Sequence, residues 1–475
     1  MAKILLINPS WGSVYKNPVH SLTAAFFPSL TLAMVAAQLK DKGNKVEILD
    51  LSFKGFNQDF VLSHFRESSP DIVGFTATTA LFSQVIQLSN KIKKLSQNVF
   101  TIAGGAHCSA LPERSIREAD LDAVCFGEGD FTLGEIADGV ELKDIPGLAY
   151  KDKNGEIRSN QPRAWLDDLD ALPMPAWDLF DVKVYLRLTS RLMVKRPPGV
   201  YFETTRGCIY KCNYCANIAL QGNRLRKKSV ERVIEEIKYM KSFGFNEFFL
   251  TDNLFTTDVE RTKEICRKMI NEKIDISWQC HSGIRVDAGD QEMFNLMYRA
   301  GCYKVAFGFE SGNDEILKGF GKGGGASISR ALEVTRMARK AKIDVLGYFM
   351  VGLLNDTEET MRQTIEFGRK IPMDLVKISY CTPFPGTPMF KELYEKKHLT
   401  IDNWDSYNAY KKQDFFKHPS LDSGVVDKYY KLAYRRMIYT NPRFIFRRLV
   451  RAIRKNELFY EVYFFIKFFI SGLRI

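Results

Sequence analysis

The sequence lacks several features that would place it at once. Its first residues, MAKILLINPS, are not a basic segment leading into a long apolar core, so no secretion signal is expected. Without one, the nine cysteines are expected to be reduced thiols in a cytoplasmic protein rather than a disulfide framework. The aromatic run at residues 458 to 470, broken by Glu461 and Lys467, falls short of the roughly 20 residues that span a bilayer. Bulk composition excludes little, since 45% hydrophobic and 26% charged residues are ordinary for a globular chain. At 475 residues the chain exceeds one small core and suggests roughly two to four domains. A formal charge of +12 favours an anionic partner, without choosing among nucleic acid, lipid surface and acidic metabolite.

What is present is a long α/β pattern. KILLINP, KVEILDL, DIVGFTAT, FTIAGGAH and AVCFGEG are β-type runs separated by helical spacing, which predicts a parallel, doubly wound sheet over residues 1–140. Ligands of such sheets bind beyond the carboxyl ends of the strands. The candidates there are Asn8, Thr76, Thr78, Gly104, Gly105, His107, Gly127 and Glu128, a mostly small and hydroxyl-bearing edge with room for a large flat ligand. Residues 141–198, rich in proline and acid at LDDLDALPMPAWDLFD, read as a linker. From Gly199 a second series of six strand–helix repeats runs to about residue 395, so 199–400 is expected to form a partial (βα)6 TIM-like barrel with its site at the carboxyl strand ends. Residues 401–475 read as a helical extension.

One stretch carries chemistry. RGCIYKCNYC, residues 206 to 215, holds Cys208, Cys212 and Cys215, with no cysteine or histidine following at a distance that would complete a set of four. Structural zinc closes four ligands, and iron–sulfur clusters usually take four thiolates. Three thiolates on a cluster leave one iron uncovered and able to bind a substrate. The other six cysteines (Cys108, Cys125, Cys266, Cys280, Cys302, Cys381) sit in apolar contexts and are expected in the core. GFGKGG satisfies G-x-G-x-x-G at Gly319, Gly321 and Gly324, but it follows a helix rather than a strand and reads as a flexible loop.

The trio, with Tyr214 just before its last cysteine, resembles the signature of the radical S-adenosylmethionine (SAM) enzymes. The resemblance implies that the three thiolates hold a 4Fe-4S cluster whose free iron chelates SAM, which is cleaved to a 5′-deoxyadenosyl radical. It also implies roles for Asp252 and Asn253 near the methionine amine, for Ser282 and Arg285 at the ribose hydroxyls and carboxylate, and for Glu310 as a ligand-facing carboxylate. Gly352, Pro385 and Gly386, in GYFMVGL and TPFPGTPMF, are expected to shape the backbone. Domain order narrows the likeness. PSLTLAMVAAQL (28–39), GGAHCSALPE (104–113) and GEGD (127–130) ahead of the cysteine loop resemble the cobalamin-dependent radical SAM enzymes, which include methyltransferases and magnesium-protoporphyrin cyclase-like members. The first domain would then be a flavodoxin-like cobalamin domain. A D-x-H-x-x-G loop is missing after the first strand, which runs NPSWGSVYKNP, so His20 is read as a surface or packing residue and His107 as a corrin contact.

The implied reaction is methylation of an unactivated carbon, the methyl group coming from methylcobalamin and the electron from an external flavodoxin- or ferredoxin-type reductant. Both sets of strand ends are expected to face one cleft. Cyclisation, oxidation or rearrangement of a tetrapyrrole or lipid-like substrate is the alternative within the family, and an electron-transfer or corrinoid-binding sensor the alternative outside it. The tail adds a separate signal. Residues 441 to 456 hold six basic residues and no acidic one, with Phe446, Leu449, Val450 and Ile453 on one helical face. Such a helix suits peripheral contact of 441–475 with a membrane surface, or packing against the barrel, and no nucleic-acid partner is expected.

Overall fold

A computed structural model describes residues 1–14, 26–52, 56–188, 194–282, 284–322, 325–401, 403–412, 414–459, 461–463 and 466. Its first sheet contains β1 (Lys3–Asn8), β2 (Lys45–Asp50), β3 (Ile72–Thr76), β4 (Phe100–Gly104), β5 (Ala123–Cys125), β6 (Leu148–Lys151) and β7 (Ile157–Ser159). They lie in the order β2-β1-β3-β4-β5-β6-β7. The first five are parallel, in the expected flavodoxin-like order. β1 reads as a continuous apolar run because helices cover both faces of the sheet. Ile4 and Leu6 join a core with helix Leu30–Asp41, while Leu5 and Ile7 join one with helices Gln58–Ser68 and Phe82–Leu95. β6 and β7 then extend the edge antiparallel. The stretch from residue 141, expected to be an irregular linker, thus supplies two strands; LAYK and IRS are too short for an alternating pattern to register.

The second sheet contains β8 (Gly199–Phe202), β11 (Glu247–Leu250), β12 (Ser277–Cys280), β13 (Cys302–Glu310), β14 (Asp344–Val351) and β15 (Leu375–Tyr380), while β9 (Thr205–Arg206) and β10 (Arg226–Lys227) form a short antiparallel pair of their own. All six main strands are parallel, ordered β8-β11-β12-β13-β14-β15, with β8 and β15 as edges, so the barrel is open. The layer between its strands and their covering helices is aromatic. Trp278 stacks on Phe248 at 5.5 Å, and Phe309 packs edge to face on Phe367. The last described long helix, Pro442–Lys455, closes the amino-terminal end of this sheet: Arg451 and Lys455 pair with Asp344 at the start of β14, and Arg448 donates to the Asp374 carbonyl ahead of β15.

Where the two sheets meet, charge is buried. Arg206 donates to Asp130 (2.8 and 3.1 Å) beyond β5 and to Glu203 (2.7 Å). Arg226 donates to Glu128 (2.8 Å) and to the Leu166 carbonyl (2.8 Å), and Glu128 also accepts from the Leu166 N–H. All five charged side chains are buried. A buried ion costs several kcal/mol unless it is paired, and removing one partner typically costs about 3–5 kcal/mol. Burial alone would raise the Asp130 carboxyl, but the Arg206 guanidinium outweighs it and holds it below the ordinary carboxylate range. Its stabilisation is therefore complete above the unfolded carboxylate value and is lost as pH falls through the lowered one. Asp130→Asn is expected to cost about 3 kcal/mol in urea unfolding at pH 7, a deficit that shrinks as the pH is taken into the acid range.

Candidate functional site

The cysteine loop leaves the barrel after β8 and is closed at its base by the β9–β10 pair. Gly207, at φ +85°, opens it; any side chain there would run into the Arg224 carbonyl. Cys208 N–H donates to Gly222 O (3.3 Å), and Cys215 N–H to Cys212 O (3.1 Å). Asn213 is held from both sides, donating its N–H to Phe320 O (3.1 Å) and accepting from Met389 N–H (3.0 Å).

Six of the nine cysteines, those expected in the core, are buried; Cys208, Cys212 and Cys215 alone are partly exposed. Burial raises all three thiols above their ordinary value, and they act on one another: Cys215 is raised further by both Cys212 and Cys208. Three thiolates so placed repel, and a multivalent cation is what lets all of them ionise together. Among the described residues no three His, Cys, Asp or Glu side chains converge closely enough to hold a single ion. Three partly exposed thiols that act on one another, on one loop, are the donor set a sulfur-ligated cluster would use. Buried polar atoms beside the trio also lack partners: Asn213 Oδ1, Asn217 Nδ2 and Thr205 Oγ1. Orphaned groups of this kind are costly and mark places where a ligand supplies the missing bond.

Facing the thiols is an ion pair that only half emerged from the sequence. Glu310 ends β13 at φ +60°, next to a register shift in its pairing with β14. A non-glycine residue in this left-handed region is held there by its surroundings. Its carboxylate accepts from Lys322 Nζ (2.9 Å) and the Tyr214 hydroxyl (3.4 Å). Lys322 is buried, donates also to Gly308 O, and pulls on the Cys212 thiol. Sequence reading passed over Lys322 because it lies in GFGKGG; the signal was a cation set inside the glycine-rich turn that follows the FESG strand end. The described part of that segment does not float free. Gly321 lies against Lys211, and its carbonyl faces Cys212 Sγ at 3.7 Å, while residues 323–324 are outside the described set.

The remaining barrel candidates divide. Arg285 lies flat over the Tyr210 ring (3.5 Å), chelates Asp287 and donates to Lys322 O (3.1 Å). Ser282 Oγ donates to Leu250 O (3.4 Å), and neighbouring His281 keeps a buried Nδ1 without a partner. Asn253 donates to Gln221 on the cysteine-loop helix. Asp252 is fully buried, accepting from the Thr204 N–H (2.6 Å) and hydroxyl (2.5 Å), and burial pushes its carboxyl up to about 6. It holds the β8–loop junction rather than opening onto the thiols.

On the first sheet, Asn8 donates to Asp50 (2.9 Å), Gly104 ends β4, Gly105 follows it so close to Ala77 that a Cβ there would come within 2.7 Å of the Ala77 carbonyl, and the Gly127 N–H donates to Ser109 (3.0 Å). Thr76 ends β3, and Thr78 just beyond it keeps a buried hydroxyl without a partner, as does Ser52. Two expectations need correction. His107 is fully buried, stacked on Phe82 (4.1 Å) and edge-on to Trp404 (4.6 Å), and burial lowers it to about 3. Walled in by two rings, it offers no face to a corrin. Glu128 is likewise committed to Arg226, Arg206 and the Leu166 N–H. His20 lies outside the described residues.

The carboxyl edges of the two sheets approach one another. Gly386, in the turn beyond β15, is so close to both units that a Cβ there would lie 3.0 Å from Ala110 Cβ of the first unit and 3.4 Å from Ala219 Cβ of the cysteine loop. A cavity of about 340 Å³ opens beside the ends of β14 and β15, lined in part by Val351, Tyr380, Cys381, Phe415 and His418.

Comparison with known proteins agrees with this geometry. The B12 binding domain profile matches residues 23–137, and the radical SAM superfamily profile residues 202–368. An uncharacterized methyltransferase of Pyrococcus horikoshii is 32% identical, over 95% of this chain and 98% of its own. The cytidylyl-2-hydroxyethylphosphonate methyltransferase of Streptomyces wedmorensis is 25% identical, over 89% and 87%. Among solved structures, the radical SAM methyltransferase TsrM of Kitasatospora setae, with tryptophan substrate and a SAM analogue bound, shares the fold at a TM-score of 0.69 and 21% identity, over 83% of this chain and 76% of that one. A 4Fe-4S cluster, SAM and cobalamin are the cofactors these domains imply. The two profiles in this order, and a relative matched from end to end, place the chain among the cobalamin-dependent radical SAM methyltransferases.

Proposed function

We propose that this enzyme methylates an unactivated carbon of a small organic molecule held between the two sheet edges. One observation carries the reading. The three partly exposed thiols stand at the carboxyl end of the first barrel strand, beside the Glu310–Lys322 pair, on the side facing the first sheet. When bound, the cluster with SAM supplies hydrogen abstraction and the cobalamin supplies a methyl group.

Cys208, Cys212 and Cys215 would hold the cluster. Lys322 and Arg285 place two cations next to the trio, suited to the SAM carboxylate, while Glu310, Asn253 and Ser282 offer acceptors and a hydroxyl to its amine and ribose. Tyr214 orients Glu310, and Asp252 braces the loop from below. Asn8, Thr76, Thr78, Gly104, Gly105 and Gly127 leave a low, polar edge for the corrin. His107, enclosed by Phe82 and Trp404, is set back from that edge, so the binding mode we propose takes no imidazole ligand from it.

We divide the chain accordingly: 1–140 with its β6–β7 extension for cobalamin, the rest of 141–198 as connection, 199–400 for the cluster and SAM, and 401–475 as cover. Relatives named for a nucleotide phosphonate and for tryptophan support a small-molecule substrate, and an external flavodoxin- or ferredoxin-type protein fits as electron donor. A peripheral contact through 441–475 belongs to the same proposal.

Anaerobic reconstitution with iron, sulfide, hydroxocobalamin and SAM is expected to give about four irons per chain and SAM cleavage on reduction. Cys208→Ala, Cys212→Ala and Cys215→Ala should each lower both to background; a wild-type chain that stays iron-free sinks the reading. Lys322→Met should keep the cluster's absorbance while weakening SAM binding about tenfold, the loss expected of one charge-assisted contact. Product mass decides the reaction: a substrate that turns over without gaining a methyl group would replace methylation by cyclisation or oxidation.

A further inference from the structure

The helix Pro442–Lys455 is amphipathic in the opposite sense to an ordinary surface helix. Its central cations turn inward: Arg448 and Arg451 are buried, paired with Glu461 and with Asp344, and Arg447 donates to Met373 O (3.3 Å). Its apolar side chains turn outward. Phe446 is 66% exposed and Ile453 61%, and Ile445, Leu449 and Val450 are exposed with them. Leu458, Phe459, Val462, Tyr463 and Ile466 continue the surface beyond the helix. These ten residues are half of the twenty exposed large hydrophobic residues among those described. Soluble monomers rarely carry so contiguous a patch without a partner.

We infer that this outer face docks on an anionic lipid surface. Arg443 and Arg454 stand exposed at the rim of the patch, and the sequence carries no Asp or Glu between Asp427 and Glu457. An apolar ridge with a cationic rim complements a layer of negatively charged headgroups over an apolar interior. A second copy complements it poorly, because a two-fold contact would set the same cationic rim against itself. Among the described residues no helix is long and apolar enough to cross a membrane, so the helix lies along the surface. The patch sits at the amino-terminal strand ends, the cysteine loop at the carboxyl ends. Docking therefore leaves the reactive mouth turned toward water, and the bilayer serves as an anchorage that asks nothing of the substrate's own polarity.

The test uses the full-length, reconstituted enzyme and phosphatidylcholine vesicles containing about one-third phosphatidylglycerol, against phosphatidylcholine alone. The wild type should float with the anionic vesicles. The triple variant Phe446→Ser, Leu449→Ser, Ile453→Ser should bind at least tenfold more weakly while keeping its cluster absorbance and SAM cleavage. The inference falls if the wild type stays in the aqueous fraction, if the triple variant floats equally well, or if the wild type proves a dimer that the triple variant breaks while vesicles capture neither. The inference rests on the enzyme reading only for the direction of the mouth. Loss of iron and SAM cleavage in the wild type would sink that reading and leave the flotation result standing.

Discussion

Two guanidinium groups, Arg206 and Arg226, are carried into a place that water scarcely reaches, and the rest of the architecture follows from how they are answered. Their carboxylates come from different parts of the chain: Glu128 and Asp130 from beyond β5, Glu203 from the end of β8. Because an unpaired buried charge is so costly, the two sheets have few relative positions open to them. Arg206 is also the residue just before the cysteine loop. The pairing that docks the units thus fixes the root of the loop that carries the thiols, so a long-range requirement for charge balance becomes a local requirement on where sulfur stands.

Within the second unit the same economy recurs. The loop is tied off by two short strands, by the Gly222 and Phe320 carbonyls and by Asp252 beneath. Against this fixed frame several of the buried polar atoms left without partners lie where ligands would be expected: those of Asn213, Asn217 and Thr205 near the thiols, and of Thr78 and Ser52 at the other edge. Rigid support with unsatisfied groups at its rim is the arrangement that preorganised binding requires. Glu310 shows the strain this involves, since its left-handed backbone is kept by Lys322 and Tyr214 holding the side chain.

Much of this was legible in the residues. Apolar runs located all five parallel strands of the first sheet and all six of the second, since strands buried on both faces leave continuous hydrophobic stretches. The cysteine spacing located the site. What escaped was whatever depends on distant partners. LAYK and IRS pair only because β5 offers an edge. Lys322 acquires meaning from Glu310 and Cys212, its neighbours in space. His107 stood at a strand end, as a ligand contact would, yet Trp404, almost three hundred residues later, closes over it. In the tail the apolar stripe was visible, but the direction its arginines take is set by Asp344 and Asp374, which no local pattern announces.

The contact at Gly386 has a consequence for how such enzymes diverge. There the turn after β15 lies so close to two methyl groups, Ala110 and Ala219, that even one added methyl would press on them. Three tiny residues act as a shim between the half that carries the methyl donor and the half that starts the chemistry. Thickening the shim by one side chain would widen the working gap without touching a single reactive group. Reach, and with it the size of molecule accepted, could then drift by substitution at one unreactive position while the chemistry on either side stays unchanged.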